Sequence, residues 1–165
     1  MRLKIIFIFL TVFALAAAAG AQTRMSGTEQ CGKPAKEYSL QIADRPNHSF
    51  AIDQGKCTWV RPVKIAGVES KAGDYWELAE TSGDHTRYRF YYVDSMANGD
   101  KAYYRGEGTM TVKDGVLQSS VEKWNLVGGT GKLKGLKGKG TNTFRSAAPD
   151  GTTTWDTVGE YQLPQ

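Results

Sequence analysis

Residues 128–140 read Gly-Gly-Thr-Gly-Lys-Leu-Lys-Gly-Leu-Lys-Gly-Lys-Gly, and this stretch decides the expected fold. Six of its 13 residues are glycine and four are lysine, a composition shared with phosphate-binding loops. The G-x-x-x-x-G-K-[ST] pattern of those loops fails, because Gly131-Lys132 precedes Leu133 and Gly138-Lys139 precedes Gly140. The dinucleotide pattern G-x-G-x-x-G also fails, and no helical pattern follows. The stretch therefore does not indicate a nucleotide site.

A structural interpretation explains the stretch better. Glycine within a strand marks a bulge, strong coiling or a close backbone approach, and a small β-barrel needs such kinks in order to close. The lysines alternate with leucines and are expected on the solvent face, where they also oppose pairing with other chains. We therefore predict that residues 128–140 are part of a β-barrel.

Turn signals along the rest of the chain indicate an antiparallel meander. Asx-Gly pairs are strong hairpin signals, because type I′ turns need φ > 0 at both central residues. The chain has three, at Asn98-Gly99, Asp114-Gly115 and Asp150-Gly151. Further turns are expected at residues 53–55, 66–67, 71–74 and 82–84.

The segments between these turns alternate as strands do. Tyr88, Phe90 and Tyr92 fall on one face of their segment, and Trp124 shares a face with Glu122 and Leu126. Strands are expected near residues 37–43, 47–53, 57–66, 74–81, 86–95, 101–112, 116–127, 133–145 and 152–163. Residues 26–36 could form a short helix.

This pattern predicts an all-β protein with a single antiparallel up-and-down, calycin-like barrel of about eight strands. Closing the sheet removes its exposed edges, and an eight-stranded barrel can be filled by side chains or can hold one small ligand. A β-sandwich is the alternative.

Residues 1–21 have the features of a signal peptide. Arg2 and Lys4 precede an apolar run over residues 5–18, and Ala19-Gly20-Ala21 is a cleavage site of the A-x-A kind. Cleavage leaves 144 residues, the length of one domain. The expected organisation is a signal peptide over 1–21, an N-terminal segment over 22–36 and a barrel over 37–165. The protein is expected in the periplasm or outside the cell.

Two cysteines, Cys31 and Cys57, remain after cleavage, and an even number in an exported chain predicts a disulfide. It would tie the N-terminal segment to the first strands, while two free buried thiols are the alternative. The net charge of +4 becomes +2 once the two basic residues of the signal are removed, which does not indicate a nucleic-acid partner.

The glycine-rich segment also carries a resemblance to a known family. Residues 128–138 are similar to the G-G-T-G-x-[aromatic or apolar]-x-G-x-x-G hairpin of allene oxide cyclase and dirigent-type barrels. They especially resemble uncharacterised exported bacterial relatives of those proteins. The segment Trp124 to Thr141 and the closing residues 159–164 have similar counterparts there. The resemblance implies an eight-stranded barrel with an apolar cavity. It supplies no functional residues for this chain.

Few residues of the chain suggest catalysis. His48 lies in the polar cluster Asp44-Arg45-Pro46-Asn47-His48 and is a candidate general base, with Arg45 to hold an anion and Asn47 to orient a ligand. The alternative is that the cluster is a plain turn, since Arg-Pro-Asn is favourable turn chemistry. No nucleophile triad or metal-ligand set is expected, and no cofactor.

The aromatic residues are the stronger functional signal. Tyr88, Phe90, Tyr92 and Trp124, with Glu122 on the same face, would form an apolar chamber with a polar floor.

The leading hypothesis is a non-catalytic binding module for a small apolar or aromatic molecule, without a nucleic-acid partner and without a membrane association after signal cleavage. The first alternative is an isomerase or cyclase acting by confinement, with Glu122 or His48 as the acid or base. The second is a surface protein that binds an acidic polymer through Lys132, Lys134, Lys137 and Lys139. A fully packed core is the structural alternative to the chamber.

Overall fold

A computed structural model describes residues 22–164. The described chain is built from β-strands, with one short 3-10 helix, η1, at Gly131–Leu133. The strands are β1 Thr23–Cys31, β2 Lys36–Gln41, β3 His48–Arg61, β4 Lys64–Ile65, β5 Val68–Ser82, β6 His85–Met96, β7 Lys101–Lys113, β8 Val116–Gly129, β9 Lys137–Ala147 and β10 Thr153–Gln162.

Eight of the strands within residues 22–164 close into an antiparallel barrel in the order β3-β1-β10-β9-β8-β7-β6-β5, with β5 pairing back onto β3. The first and last strands are neighbours, from Thr23 opposite Tyr161 to Cys31 opposite Thr153. β2 extends the sheet beside the first half of β3. The predicted all-β fold with a closed antiparallel barrel is confirmed.

The helix considered for residues 26–36 is wrong, because β1 occupies most of that range. Met25, Gly27 and Glu29 are buried at alternate positions of β1, as the inward face of a strand requires. β1 is held by hydrogen bonds from β3 on one side and β10 on the other. The barrel thus includes residues that precede position 37. The expected signal peptide, residues 1–21, lies outside the described residues.

The turns expected at residues 53–55 and 71–74 are also wrong, because β3 and β5 run through them without interruption. The glycines of these two segments do not form turns; they leave space for aromatic side chains of the neighbouring strand. A Cβ atom at Gly55 would collide with the ring of Tyr75, and one at Gly73 would collide with the ring of Tyr92. These two glycines allow large side chains of the neighbouring strand to lie flat against the barrel wall.

The Asx-Gly turns lie where the sequence predicts them. Asp114 and Gly115 have φ of 52° and 75° and join β7 to β8 in a two-residue hairpin loop, as a type I′ turn requires. Gly99 and Gly151, each with φ of 87°, lie in the β6–β7 and β9–β10 connections.

The glycine-lysine stretch forms the β8–β9 connection and the start of β9. Leu133 and Leu136 are fully buried and close one end of the barrel, while the four lysines are exposed, as expected. β9 begins at Lys137 and pairs with both β8 and β10, so the stretch is not a free edge. Gly140 lies against the indole of Trp124, where a Cβ atom would collide with the ring.

The interior of the barrel follows strand alternation. On β6, Tyr88, Phe90 and Tyr92 are buried and their neighbours are exposed or half-buried, which confirms the predicted inward face. Beside the buried leucines, that end of the barrel is packed with Val63, Ile65, Met96, Ala102 and Leu126. We call it the closed end.

The predicted disulfide is present between Cys31 on β1 and Cys57 on β3, with the two Cα atoms 4.0 Å apart. It links two adjacent barrel strands through a sequence separation of 26 residues. Among residues 22–164, no helix has the length and apolarity that a membrane span needs.

Candidate functional site

The barrel interior is hollow above the closed end. A cavity of about 290 Å³ is lined by side chains from most of the barrel strands and opens beside Gly32, Lys33, Pro34 and Gly151. We call this opening the mouth, and the Cys31–Cys57 disulfide lies next to it. The aromatic residues that line the cavity are Trp59, Tyr75, Phe90, Tyr92, Tyr104, Trp124 and Trp155.

Several of the residues that sequence analysis singled out meet at this cavity. Phe90, Tyr92, Trp124 and Glu122 all line it. Tyr88 lies behind Glu122, and its hydroxyl donates a hydrogen bond to the Glu122 carboxylate at 2.9 Å. The aromatic chamber with an acidic group is thus present in the structure, and the assignment of these residues to ligand binding stays a prediction.

The remaining predicted residues, Arg45, Asn47 and His48, lie elsewhere. His48 lies on the face of β3 opposite Asp53 and Cys57, which line the cavity, because the side chains of a strand alternate. Its Nδ1 is 2.5 Å from the Asp44 carboxylate and its Nε2 is 3.1 Å from that of Glu80. These contacts raise the pKa of His48, the Asp44 hydrogen bond contributing most.

Arg45 and Asn47 complete that separate cluster in the loop between β2 and β3. The Arg45 guanidinium pairs with Asp44 at 2.6 Å and donates to the Ser82 hydroxyl at 3.0 Å. Asn47 has φ of 51° and accepts a backbone hydrogen bond from Gly83. The contacts observed here fix the loop against the β5–β6 turn, so the structure does not bring this cluster together with the cavity.

Glu122 is held in a hydrogen-bond network inside the barrel. Its second carboxylate oxygen accepts from the Asn142 amide at 2.7 Å. The Asn142 carbonyl in turn accepts from the indole of Trp124 at 3.0 Å and from the hydroxyl of Thr157 at 2.9 Å. Burial raises the pKa of Glu122 to about 7, although both hydrogen bonds to its carboxylate oppose the shift. Burial thus favours the protonated form of Glu122 more than it is favoured in an exposed glutamate.

Three further acidic side chains line the cavity: Glu29, Asp53 and Glu77. Burial raises the pKa of Glu29 to about 8, against the hydrogen bond that the Tyr92 hydroxyl donates to it at 2.7 Å. Burial also raises the pKa of Glu77 to about 8, and the charges of Glu122 and Asp53 add to the effect. The acids are thus close enough to repel one another when ionised.

Two polar atoms at the cavity lack a hydrogen-bond partner among the described residues. They are Oδ1 of Asp53 and the hydroxyl oxygen of Tyr104, both buried. Tyr104 is only 5% exposed. Its ring packs edge-on against the rings of Trp124 and Tyr92, with ring centroids 5.3 Å and 5.7 Å away. Buried polar groups are normally hydrogen-bonded, so this hydroxyl is an exception among the polar groups of the residues that line the cavity.

A metal site is not supported at the mouth. Glu29, Cys31 and Cys57 place a carboxylate oxygen and two sulfur atoms within 4.8 Å of one another. Both sulfur atoms are used in the disulfide, however, and a disulfide sulfur is not the thiolate that binds zinc.

Sequence reasoning missed Glu29, Asp53, Glu77, Tyr104 and Asn142 as cavity residues. For Asp53 a signal existed, since Asp53, Gly55 and Cys57 share one face if the segment is read as a continuous strand. Reading Gly55 as a turn broke that alternation. Glu77 likewise shares a face with Tyr75 on β5.

Comparison with known proteins identifies the fold. No protein-family model matches the chain, and no curated protein does. Among solved structures, the pterocarpan synthase dirigent protein GePTS1 is similar with a TM-score of 0.53 at 12% identity, covering 96% of this chain and 98% of its own. The pterocarpan synthase dirigent protein PsPTS1 gives 0.51 at 11% identity, covering 88% and 97%.

A DUF3224-family protein of unknown function from Shewanella oneidensis MR-1 gives a TM-score of 0.48 at 13% identity, covering 88% of this chain and 100% of that one. The two dirigent structures show that the chain has a dirigent-type barrel, which confirms the resemblance expected from its sequence. At these identities the likeness concerns the fold alone.

Proposed function

We propose that this protein is a non-catalytic binding module that holds one small, mainly aromatic or apolar molecule in its barrel. The observation that carries the proposal is the open cavity of about 290 Å³ walled by aromatic side chains. That volume is at the lower end of the range for ligand sites, which are mostly apolar with a few placed polar groups. The carboxyl group of Glu122, which Tyr88 and Asn142 hold in place, is one such polar group.

A fluorescence titration with N-phenylnaphthylamine tests this function. This neutral probe brightens in apolar surroundings, and quenching of Trp59, Trp124 and Trp155 on the cavity wall gives a second readout. Met110 lines the cavity, whereas Thr109, the residue before it on β7, is exposed. We expect Met110→Trp to weaken binding at least tenfold by filling the space, and Thr109→Trp to leave it unchanged. Equal binding by both variants would show that the probe binds outside the barrel.

A catalytic alternative rests on Glu122. Its pKa of about 7 suits a general acid or base at neutral pH, and its hydrogen bonds to Tyr88 and Asn142 fix its position at the cavity. If the barrel is an isomerase or cyclase acting by confinement, a bound molecule is converted. NMR of each molecule found to bind would reveal conversion, and Glu122→Gln would then abolish turnover while retaining binding. Unchanged turnover in Glu122→Gln would contradict the role of Glu122.

We also propose that the protein is exported to the periplasm or outside the cell. The disulfide supports this location, since such bonds form and persist mainly in oxidising compartments. Fractionation of cells that express the full chain, followed by gel mobility with and without reductant, would test it. Reduced protein confined to the cytosol would contradict it.

A further inference from the structure

The acidic groups of the cavity are not balanced by basic groups inside it. Among the described residues that line the cavity, the acids are Glu29, Asp53, Glu77 and Glu122, and the one basic side chain is that of Lys33 at the exposed mouth. Buried carboxylates are normally paired with a cation or hydrogen-bonded throughout. The carboxylates of Glu29 and Glu122 accept hydrogen bonds from hydroxyl and amide groups, not from ammonium or guanidinium groups.

The aromatic rings of the cavity wall, like its carboxylates, favour a cationic ligand. The faces of Trp and Tyr rings carry negative electrostatic potential and attract cations, and aromatic cages recognise ammonium groups. Trp59, Phe90, Tyr104, Trp124 and Trp155 all line the cavity. Independently, the residue Tyr104 is 95% buried, and its hydroxyl has no hydrogen-bond partner within residues 22–164.

We propose that the molecule bound in the cavity is a small organic cation, an ammonium group on an aromatic or apolar body, paired with Glu29, Glu77 and Glu122. The proposal rests on the proposed binding function and names the chemical class of its ligand. The ammonium group donates hydrogen bonds to the carboxylates, and the apolar body packs against the rings. The Tyr104 hydroxyl is the remaining polar contact for the ligand.

Proton release accompanies this binding. With the cavity empty, burial and mutual repulsion favour protonated acids, and the pKa of Glu29 and Glu77 is about 8. A cation stabilises the carboxylates, so binding expels protons and tightens as the pH rises. The phenols of Tyr75, Tyr92 and Tyr104 also face this space, and burial raises the pKa of each, which keeps them neutral. Asp94, behind the wall, has a pKa of about 7 and hydrogen bonds to Ser70 and Trp59.

Three probes of one shape and different charge test the proposal: naphthylmethylamine, naphthylmethanol and naphthoate. We expect the amine to bind at least tenfold more tightly than the alcohol at about pH 8, and this preference to shrink at about pH 6. The carboxylate should bind most weakly. Calorimetry in two buffers of different ionisation enthalpy should show release of up to about one proton per amine bound near neutral pH.

Matched variants locate the charge recognition. Glu29→Gln and Glu122→Gln should each reduce the preference for the amine at least fivefold while binding of the alcohol is retained. Glu107→Gln, on the exposed face of β7, should change neither. Near-UV circular dichroism checks the fold of each variant. If a variant does not fold, the comparison of the three probes on the unaltered protein still tests the proposal.

Each outcome decides between the two proposals. If the alcohol or the carboxylate binds as tightly as the amine, the ligand is not a cation and this inference fails, while the binding function stands. If the amine preference survives in both glutamine variants, the cation lies elsewhere and the inference also fails. If none of the three probes binds, and N-phenylnaphthylamine does not either, the proposed function fails with it.

Discussion

At the scale of single residues, the barrel depends on glycines that leave room for aromatic rings on neighbouring strands. A Cβ atom at Gly106 would collide with Phe90, and one at Gly108 with Tyr88. A Cβ atom at Gly140 or at Gly159 would collide with the indole ring of Trp124. The aromatic residues can therefore lie along the wall and leave the centre of the barrel open, which is how a chain rich in large side chains retains a cavity.

Gly140→Ala is expected to destabilise the protein. The added methyl group would meet both the Trp124 ring and the carbonyl oxygen of Val158, so the ring or a strand must shift. Overpacking of this kind costs about 1–3 kcal/mol. Urea unfolding would measure the loss. Gly32→Ala is the control, because nothing lies within 4 Å of its Cβ position, and it should change the free energy of unfolding by less than about 0.5 kcal/mol. Equal effects of the two substitutions would contradict this account.

At the scale of strands, local chemistry explains what the sequence could predict. Asp114-Gly115 specifies its turn by itself, because both residues adopt positive φ. The inward face of β6 is equally local, since its buried aromatic residues occupy every second position from Tyr88 to Tyr92. These features need no knowledge of a partner strand, which is why the sequence predicts them.

The features that could not be predicted depend on distant partners. Gly55 in a strand is explained only by Tyr75, which lies on another strand. β1 contains few apolar residues and is a strand because β3 and β10 both pair with it. The acidic character of the cavity was missed for the same reason, since Glu29 belongs to β1 and the inward position of Asp53 depends on β3 continuing through Gly55.

Reduction of the disulfide is expected to destabilise the protein by about 3–4 kcal/mol, because Cys31 and Cys57 are 26 residues apart and the bond limits the entropy of the unfolded chain. Urea unfolding with and without reductant would measure the difference. The double variant Cys31→Ser with Cys57→Ser should be insensitive to reductant. Loss of stability on adding reductant to that variant, or none in the unaltered protein, would contradict the prediction.

At the scale of the whole molecule, the buried acids make stability depend on pH. The pKa of Glu29 rises from 4.5 to about 8 on folding, so the native state holds a proton that the unfolded chain has lost between those values. Stability should therefore fall as the pH rises from about 4.5 to about 8, and Glu77 and Glu122 act in the same direction.

Glu29→Gln tests this dependence. The amide cannot ionise, so the variant should lose less stability between about pH 5 and about pH 8 and should exceed the unaltered protein at the upper value by at least about 1 kcal/mol. Chemical unfolding at several pH values would measure both curves. Glu107→Gln on the outer face should follow the unaltered protein. If the free energy of unfolding of Glu29→Gln depended on pH in the same way as that of the unaltered protein, the pKa of Glu29 would not be raised in the native state.

The central claim is that the barrel encloses a hollow, aromatic-walled site that a small molecule can enter. A crystal structure of the protein with N-phenylnaphthylamine tests it most directly. The account predicts electron density for the probe inside the barrel, in contact with Trp124 and Tyr104, with the strand order unchanged. An interior filled by side chains, with the probe bound only on the outer surface or absent, would contradict it.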